Sequence, residues 1–196
     1  MNSNGSAPDT RPEENEEEHF LQQKADLEAA LFQCREPLPV TRLARALGET
    51  TERVVELLDG LAQEYTSAAR GLTLRQVAGG YLLLAKPECL EKLPGQFLKP
   101  RPPLSQAALE TLALIAYRQP ITAAEIMQTR RVRTTGVLET LLERKLIRLA
   151  GRKKSPGHPI LYRTTQQFLV EFGLEDLDHL PPLESFRPVV EPEQDG

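Results

Sequence analysis

Apolar residues return along the chain in two rhythms, one helical and one extended, and the rhythms come in the same order twice. In the second half, Ala108, Leu109, Leu112, Ile115 and Ala116 recur at three- and four-residue steps, which predicts a helix with one apolar face. Ser105 stands where an N-cap belongs, because its hydroxyl can accept from a free amide of the first turn. Gln119-Pro120 stops the run. Thr122 and Glu125 then have the spacing of a capping box, in which each side chain satisfies the other residue's backbone amide, with Ile121 and Ile126 at the hydrophobic-staple positions. After Thr134, Val137, Leu138, Leu141 and Leu142 predict a third helix. In the stretch KLIRLAG, Ile147 and Leu149 alternate with Arg148 as in a half-buried strand. Arg152 to His158 contains Pro156 and Gly157 and reads as a turn, after which Ile160 and Tyr162 alternate with Leu161 and Arg163 in a return strand.

The first half repeats this plan. Leu27, Ala30 and Leu31 begin a helical face that Pro37-Leu38 ends. Val40 to Leu47 forms a short helix closed by Gly48, and Val54, Leu57, Leu58 and Leu61 mark a third. GLTLRQV and YLLLAK are two extended runs joined across Ala78-Gly79-Gly80, a hairpin turn. Helix, helix, turn, helix, hairpin is the winged-helix order. An offset of 83 matches Leu31-Phe32 with Leu114-Ile115, Pro37-Leu38 with Pro120-Ile121 and Leu43 with Ile126, and one further residue matches Leu57-Leu58 with Leu141-Leu142. The expected class is mainly α with small β-hairpin wings (α+β), as two tandem winged-helix domains over 21–98 and 105–173. Pro100, Pro102 and Pro103 make 99–104 a stiff linker.

Charge sharpens this division. Residues 1–20 carry six acids and one base, 21–100 ten of each, 101–173 twelve bases against five acids, and 174–196 seven acids and one base. A basic segment thus lies between acidic ends. The ends read as an acidic tail over 1–20, too polar to bury much surface and expected to be disordered, and an acidic, proline-rich tail over 174–196, expected to be extended or disordered from about Pro181. No apolar run reaches the ~18 residues of a membrane span, and the N-terminus lacks a signal peptide's apolar stretch, so the protein is expected in the cytoplasm. Cys34 and Cys89, the only cysteines, fit no metal or CxxC pattern and are expected to be small buried side chains without a disulfide.

No catalytic constellation is legible. His19, His158 and His179 are scattered, and no HExxH, GxSxG or phosphate-binding glycine loop is present. The chain reads as a non-enzyme without cofactor or metal. Nucleic-acid contact is the chemistry that charge suggests. In a helix-turn-helix the second helix of the motif enters the major groove through its N-terminal residues. Here the turn into that helix carries Arg130, Arg131, Arg133, Thr134 and Thr135, and the wing carries Arg152, Lys153 and Lys154. These are candidates for DNA or partner contact, against the plainer reading of a solvated or protein-binding face. Such DNA binding would be weak and non-specific, since charge alone carries no base readout. Arg42, Arg45 and Arg53 of the first half are balanced by Glu49, Glu52 and Glu56, which suits a protein-contact module. Leu21, Leu90, Leu93 and Phe97 exceed what one small core needs and suggest self-association.

The stretch LSQAALETLALIAYRQPIT (Leu104 to Thr122) is similar to the signature of the segregation and condensation protein B family. The similarity continues through GVLETLLERKLI, GRKKSPGHPILYRTT and FLVEFGLEDLDHLPPL, and RGLTLRQVAGGYLLLAKPE of the first half resembles the family's wing. It covers Asp26 to Leu183. The resemblance implies a homodimer formed largely through the N-terminal domains, binding to the kleisin subunit (segregation and condensation protein A), and through it association with the SMC ATPase, which would hydrolyse the ATP. It implies a scaffold for chromosome condensation and segregation at the nucleoid. The alternative is a winged-helix DNA-binding transcriptional regulator. His158, Arg163 and the run Arg133-Thr134-Thr135 depart from the family's pattern and leave the second domain more basic.

Overall fold

The protein is described here by a computed structural model covering residues 12–94, 102–131 and 135–182. The chain divides into two compact units, Met1–Leu104 and Ser105–Gly196. The division falls at the end of the expected linker 99–104, of which residues 99–101 lie outside the described set. The architecture is mixed, mostly helical with two small sheets.

In the first unit, α1 (Pro12–Gln33), α2 (Val40–Leu47) and α3 (Thr51–Thr66) are followed by the hairpin β1 (Leu72–Val77) and β2 (Gly80–Ala85) and a single turn α4 (Pro87–Leu90). Leu27, Leu31, Leu43, Val54, Leu57, Leu58 and Leu61 form the core, with Leu38, Ala44 and Tyr65. Three local signals set the bounds. Gly48 (φ 70°) takes the left-handed position that ends α2, and Thr50 caps α3 by accepting from the Arg53 amide. Ala78 (φ 52°) and Gly79 (φ 72°) form a two-residue turn with both central φ positive, the twist that suits a hairpin. Gly80 therefore belongs to the strand, opposite Val77, rather than to the turn.

In the second unit, α5 (Gln106–Arg118), the short β3 (Ile121–Thr122), α6 (Ala123–Arg130) and α7 (Thr135–Glu143) precede β4 (Ile147–Arg152), β5 (Ile160–Thr164) and α8 (Gln166–Phe172). The sheet order is β3-β5-β4, all antiparallel. The capping box is formed as read, with Ile121 and Ile126 buried beside it. Ser105 caps α5 by accepting from the Ala108 amide. The Gln119–Pro120 peptide bond is cis, and the Gln119 amide oxygen accepts from both the backbone (2.8 Å) and hydroxyl (3.0 Å) of Thr164, tying the end of α5 to β5.

Several expectations are corrected. α1 begins at Pro12, inside the stretch expected to be a disordered tail. Glutamate is a good helix former and is favoured near a helix N-terminus, while Phe20 packs on the core beneath Arg53, whose guanidinium lies 4.7 Å from its ring centroid. The second unit also continues past Gly173. Asp176 caps a short 3₁₀ turn (Leu177–His179), and the Tyr117 hydroxyl donates to the Pro181 carbonyl, so residues 174–182 are not all tail. Leu109 and Leu149, expected inward, are 39% and 53% exposed. Cys34 and Cys89 are free and half-buried rather than buried. Burial also shifts the repeat's register in the first helix. Leu27 and Leu31 match Thr111 and Ile115 in depth, whereas Phe32, aligned with Ile115 by sequence, is 74% exposed.

One contact recurs in both units. Leu38 forms an isolated bridge with Tyr81, each amide donating to the other's carbonyl at 2.9 Å, as Ile121 pairs with Tyr162 in the second unit. The bridge requires Gly80, because a Cβ there would lie 2.7 Å from the carbonyl carbon of Leu38 and 2.8 Å from its oxygen. Gly80→Ala is expected to destabilise the first unit by about 1–3 kcal/mol, the usual penalty of overpacking. Denaturant unfolding of the full chain checks it. The transition of the first unit should move to lower denaturant while that of the second stays in place.

Candidate interaction surfaces

The second unit places the candidate basic residues in different surroundings. Arg130, at the end of α6, is folded inward, with its side chain 12% exposed. Its guanidinium donates to the Ala107 carbonyl (2.7 Å), to the hydroxyl of fully buried Thr111, and to the Glu110 carboxylate. It clamps α6 to the first turn of α5 and is not presented to a ligand. Arg131 takes the left-handed position after α6 (φ 55°), where its amide donates to the Met127 carbonyl, and its side chain is exposed. Arg133 and Thr134 lie outside the described residues. Thr135 begins α7, and its side chain also lies outside them.

The wing candidates are closer together. The Arg152 guanidinium donates to the His158 carbonyl at 3.0 Å, holding the loop closed. Lys153 reaches from the loop to Glu125 of the capping box. Lys154 is exposed. Glu125 thus joins the N-terminus of α6 to the tip of the hairpin. The hydrogen bond from Lys153, with those from the Thr122 amide and hydroxyl, holds its carboxyl down to about 2. Sequence found the capping box but not its second partner, because no local spacing links residue 125 to residue 153.

Two apolar features complete the surface. On the first unit Phe32, Leu21 and Leu93 are exposed (74%, 56% and 45%), Leu90 is half-buried, and Phe97 lies outside the described residues. Phe32 borders a cleft of about 310 Å³ with Ala29, Tyr65, Leu72 and Leu83. Sequence supplied Leu21 and Leu93 as excess apolar residues. It missed Phe32, which the repeat alignment had paired with Ile115. On the second unit, Leu109, Tyr117, Phe168, Phe172, Leu174 and Leu180 line a groove of about 310 Å³. The Phe168 and Phe172 rings stack at 4.9 Å between centroids, tilted by 39°.

Among the described residues no group of three or more His, Cys, Asp or Glu could hold a metal ion. His179 is held by Asp176 at 2.8 Å, which raises its pKa. His19 and His158 belong to other parts of the surface. No helix among the described residues is long and apolar enough to cross a membrane.

The family model described as "Segregation and condensation complex subunit ScpB" matches residues 25–183. A segregation and condensation protein B of Symbiobacterium thermophilum is 49% identical over 162 residues, covering 82% of this chain and 74% of the relative. That of Desulforamulus reducens is 46% identical over 165 residues, covering 84% and 91%. Among solved structures, a dimer of the ScpB N-terminal domain complexed with ScpA peptide is 26% identical, covering 43% of this chain and 97% of that one, with a TM-score of 0.39.

The Glu125 contacts make the second unit sensitive to acid. A carboxylate whose folded pKa lies near 2 contributes stability that is complete above its ordinary value of 4.5 and is lost as pH falls through about 2. Glu125→Gln keeps a side-chain acceptor for the Thr122 amide but removes the charge. The variant is expected to melt below wild type at neutral pH, with the gap closing between pH 4.5 and about 2. Melting curves of both proteins across that range check this; a gap independent of pH would contradict it.

Proposed function

The chain belongs to the family of the segregation and condensation complex subunit ScpB, and from that membership we propose that it is a non-catalytic, homodimeric scaffold that binds the kleisin of the SMC complex. The observation that carries the reading is the reach of the family match. Residues 25–183 span the cores of both units, so the likeness is to a whole two-unit protein. Each unit is a winged-helix domain in this reading: three helices, a hairpin, and a short strand or bridge joining the second helix's entry to the return strand. The kleisin, segregation and condensation protein A, links the scaffold to the SMC ATPase, which supplies the ATP hydrolysis. The protein supports chromosome condensation and segregation in the cytoplasm, at the nucleoid.

Self-association is assigned to the first unit. The segment 21–100 has ten acids and ten bases, so outside the Glu-rich start of α1 two copies meet little net repulsion. Phe32 stands out beside a cleft, in the manner of an aromatic anchor at an interface. The full chain is expected to sediment as a dimer at tens of micromolar and to co-purify with the kleisin. Phe32→Glu is expected to weaken the dimer by about 2 kcal/mol or more, roughly thirtyfold, with the far-ultraviolet signal of the folded chain kept. A monomeric wild type would remove the dimer claim. A chain that ignores the kleisin would remove the scaffold claim and leave the transcriptional-regulator alternative.

A further inference from the structure

The hairpin of the second unit places two arginines face to face. Arg148 of β4 and Arg163 of β5 are direct cross-strand partners, so their side chains leave the same face of the sheet. The neighbouring pair, Ile147 opposite Thr164, is buried on the other face, while Arg148 and Arg163 are both exposed. Neither forms an ion pair with a described residue. Like charges directly opposite one another destabilise an antiparallel pair. The sequence nonetheless puts them there, at a position where almost any polar residue would serve the fold.

The rest of the hairpin has the same sign. From Ile147 to Thr164 the chain carries Arg148, Arg152, Lys153, Lys154 and Arg163 and no acid. Lys153 is held by Glu125 and Arg152 by the His158 carbonyl, so these two also brace the loop. The arginine pair and Lys154 are the bases of the hairpin whose positions the packing does not explain. A guanidinium is a rigid fork that matches phosphate oxygens, and two forks on adjacent strands offer two such contacts side by side.

We propose that this hairpin is a sequence-independent contact for the phosphodiester backbone of duplex DNA, anchored by Arg148 and Arg163. A peptide partner is recognised through an open strand edge or a pocket for its side chains. Here the register shift between Leu149 and Arg152 interrupts the free edge of β4, and the arginines stand on the sheet face, away from the residues that line this unit's groove. A polyanion needs only spaced positive charge. The contact is independent of kleisin binding, and it keeps the wing that charge suggested but moves the anchors to the strand pair Arg148 and Arg163, since Arg130 is spent inside the fold.

The test uses the full chain, a labelled random-sequence DNA duplex, and fluorescence anisotropy at about 50 and about 200 mM salt. The double variant Arg148→Gln/Arg163→Gln removes two phosphate contacts. It is expected to bind more weakly at the lower salt, and to lose roughly tenfold less affinity than wild type over that salt interval, because each phosphate contributes a slope of about 0.9. The double variant is expected to melt at or above the wild-type temperature, since the cross-strand repulsion is relieved; a structural role for the pair would lower it. Arg42→Gln/Arg45→Gln, on the exposed side of α2, removes the same charge from the other unit and is expected to leave the salt slope unchanged. The proposal is overturned if wild type fails to bind at the lower salt, if the hairpin variant keeps the wild-type slope, or if both variants lose it equally. A polyglutamate peptide that binds wild type and not the hairpin variant, while DNA binds neither, would assign the face to an acidic protein instead.

Discussion

Both units depend on one backbone pairing that ties the residue after the first helix to the returning strand of the hairpin. In the first unit it is Leu38 with Tyr81; in the second, Ile121 and Thr122 with Tyr162 and Leu161. The pairing closes the fold, because it joins the helices to a hairpin that would be marginal alone. It also dictates sequence around it. Gly80 must lack a side chain where Leu38 crosses it, and a proline, Pro37 or Pro120, immediately precedes the paired residue in each unit. In the second unit the Gln119 side chain reinforces it by accepting from Thr164, at the end of the same strand.

Where a feature is fixed locally, it could be read from the sequence. α2 runs from Val40 to Leu47, as its apolar spacing and Gly48 imply, and the Thr122–Glu125 box and the Ser105 cap are formed as their spacing implies. Features fixed by tertiary contact could not be read. The Glu-rich start of α1 has no apolar period, and what holds it is Phe20 under Arg53 and Lys24 paired with Glu64, distant in sequence. Arg130 counts as surface charge until its partners Ala107, Glu110 and Thr111 are known. Arg148 and Arg163 became a pair only once the strand register was known, since the alternation predicts that both face outward but not that they face each other. Residues 174–182 read as tail because their anchors, Tyr117 and the Phe168–Phe172 pair, lie on other elements.

The two units share a plan but present different surfaces. The first balances ten acids with ten bases over 21–100 and leaves Phe32, Leu21 and Leu93 exposed, which favours protein contact through that segment. The second is basic over 101–173, twelve bases against five acids, and its hairpin holds no acid of its own, so Glu125 of α6 supplies the loop's counter-charge. This divides the proposed work. Apolar complementarity serves association with proteins, and charge serves contact with a polyanion. Neither requires a converging catalytic site, and family membership as a complex subunit accords with function through assembly.

The central claim is that the chain is two self-sufficient copies of one fold, each closed by its own strand pairing. Calorimetry and near-ultraviolet circular dichroism of residues 105–182 alone, beside the full chain, test it most directly. The fragment includes the stretch to Pro182 that packs on α5 and α8. A single cooperative transition is expected, with calorimetric and van't Hoff enthalpies equal, that coincides with one of the transitions of the full chain. A fragment with helical signal but no near-ultraviolet signal and no cooperative transition would contradict it.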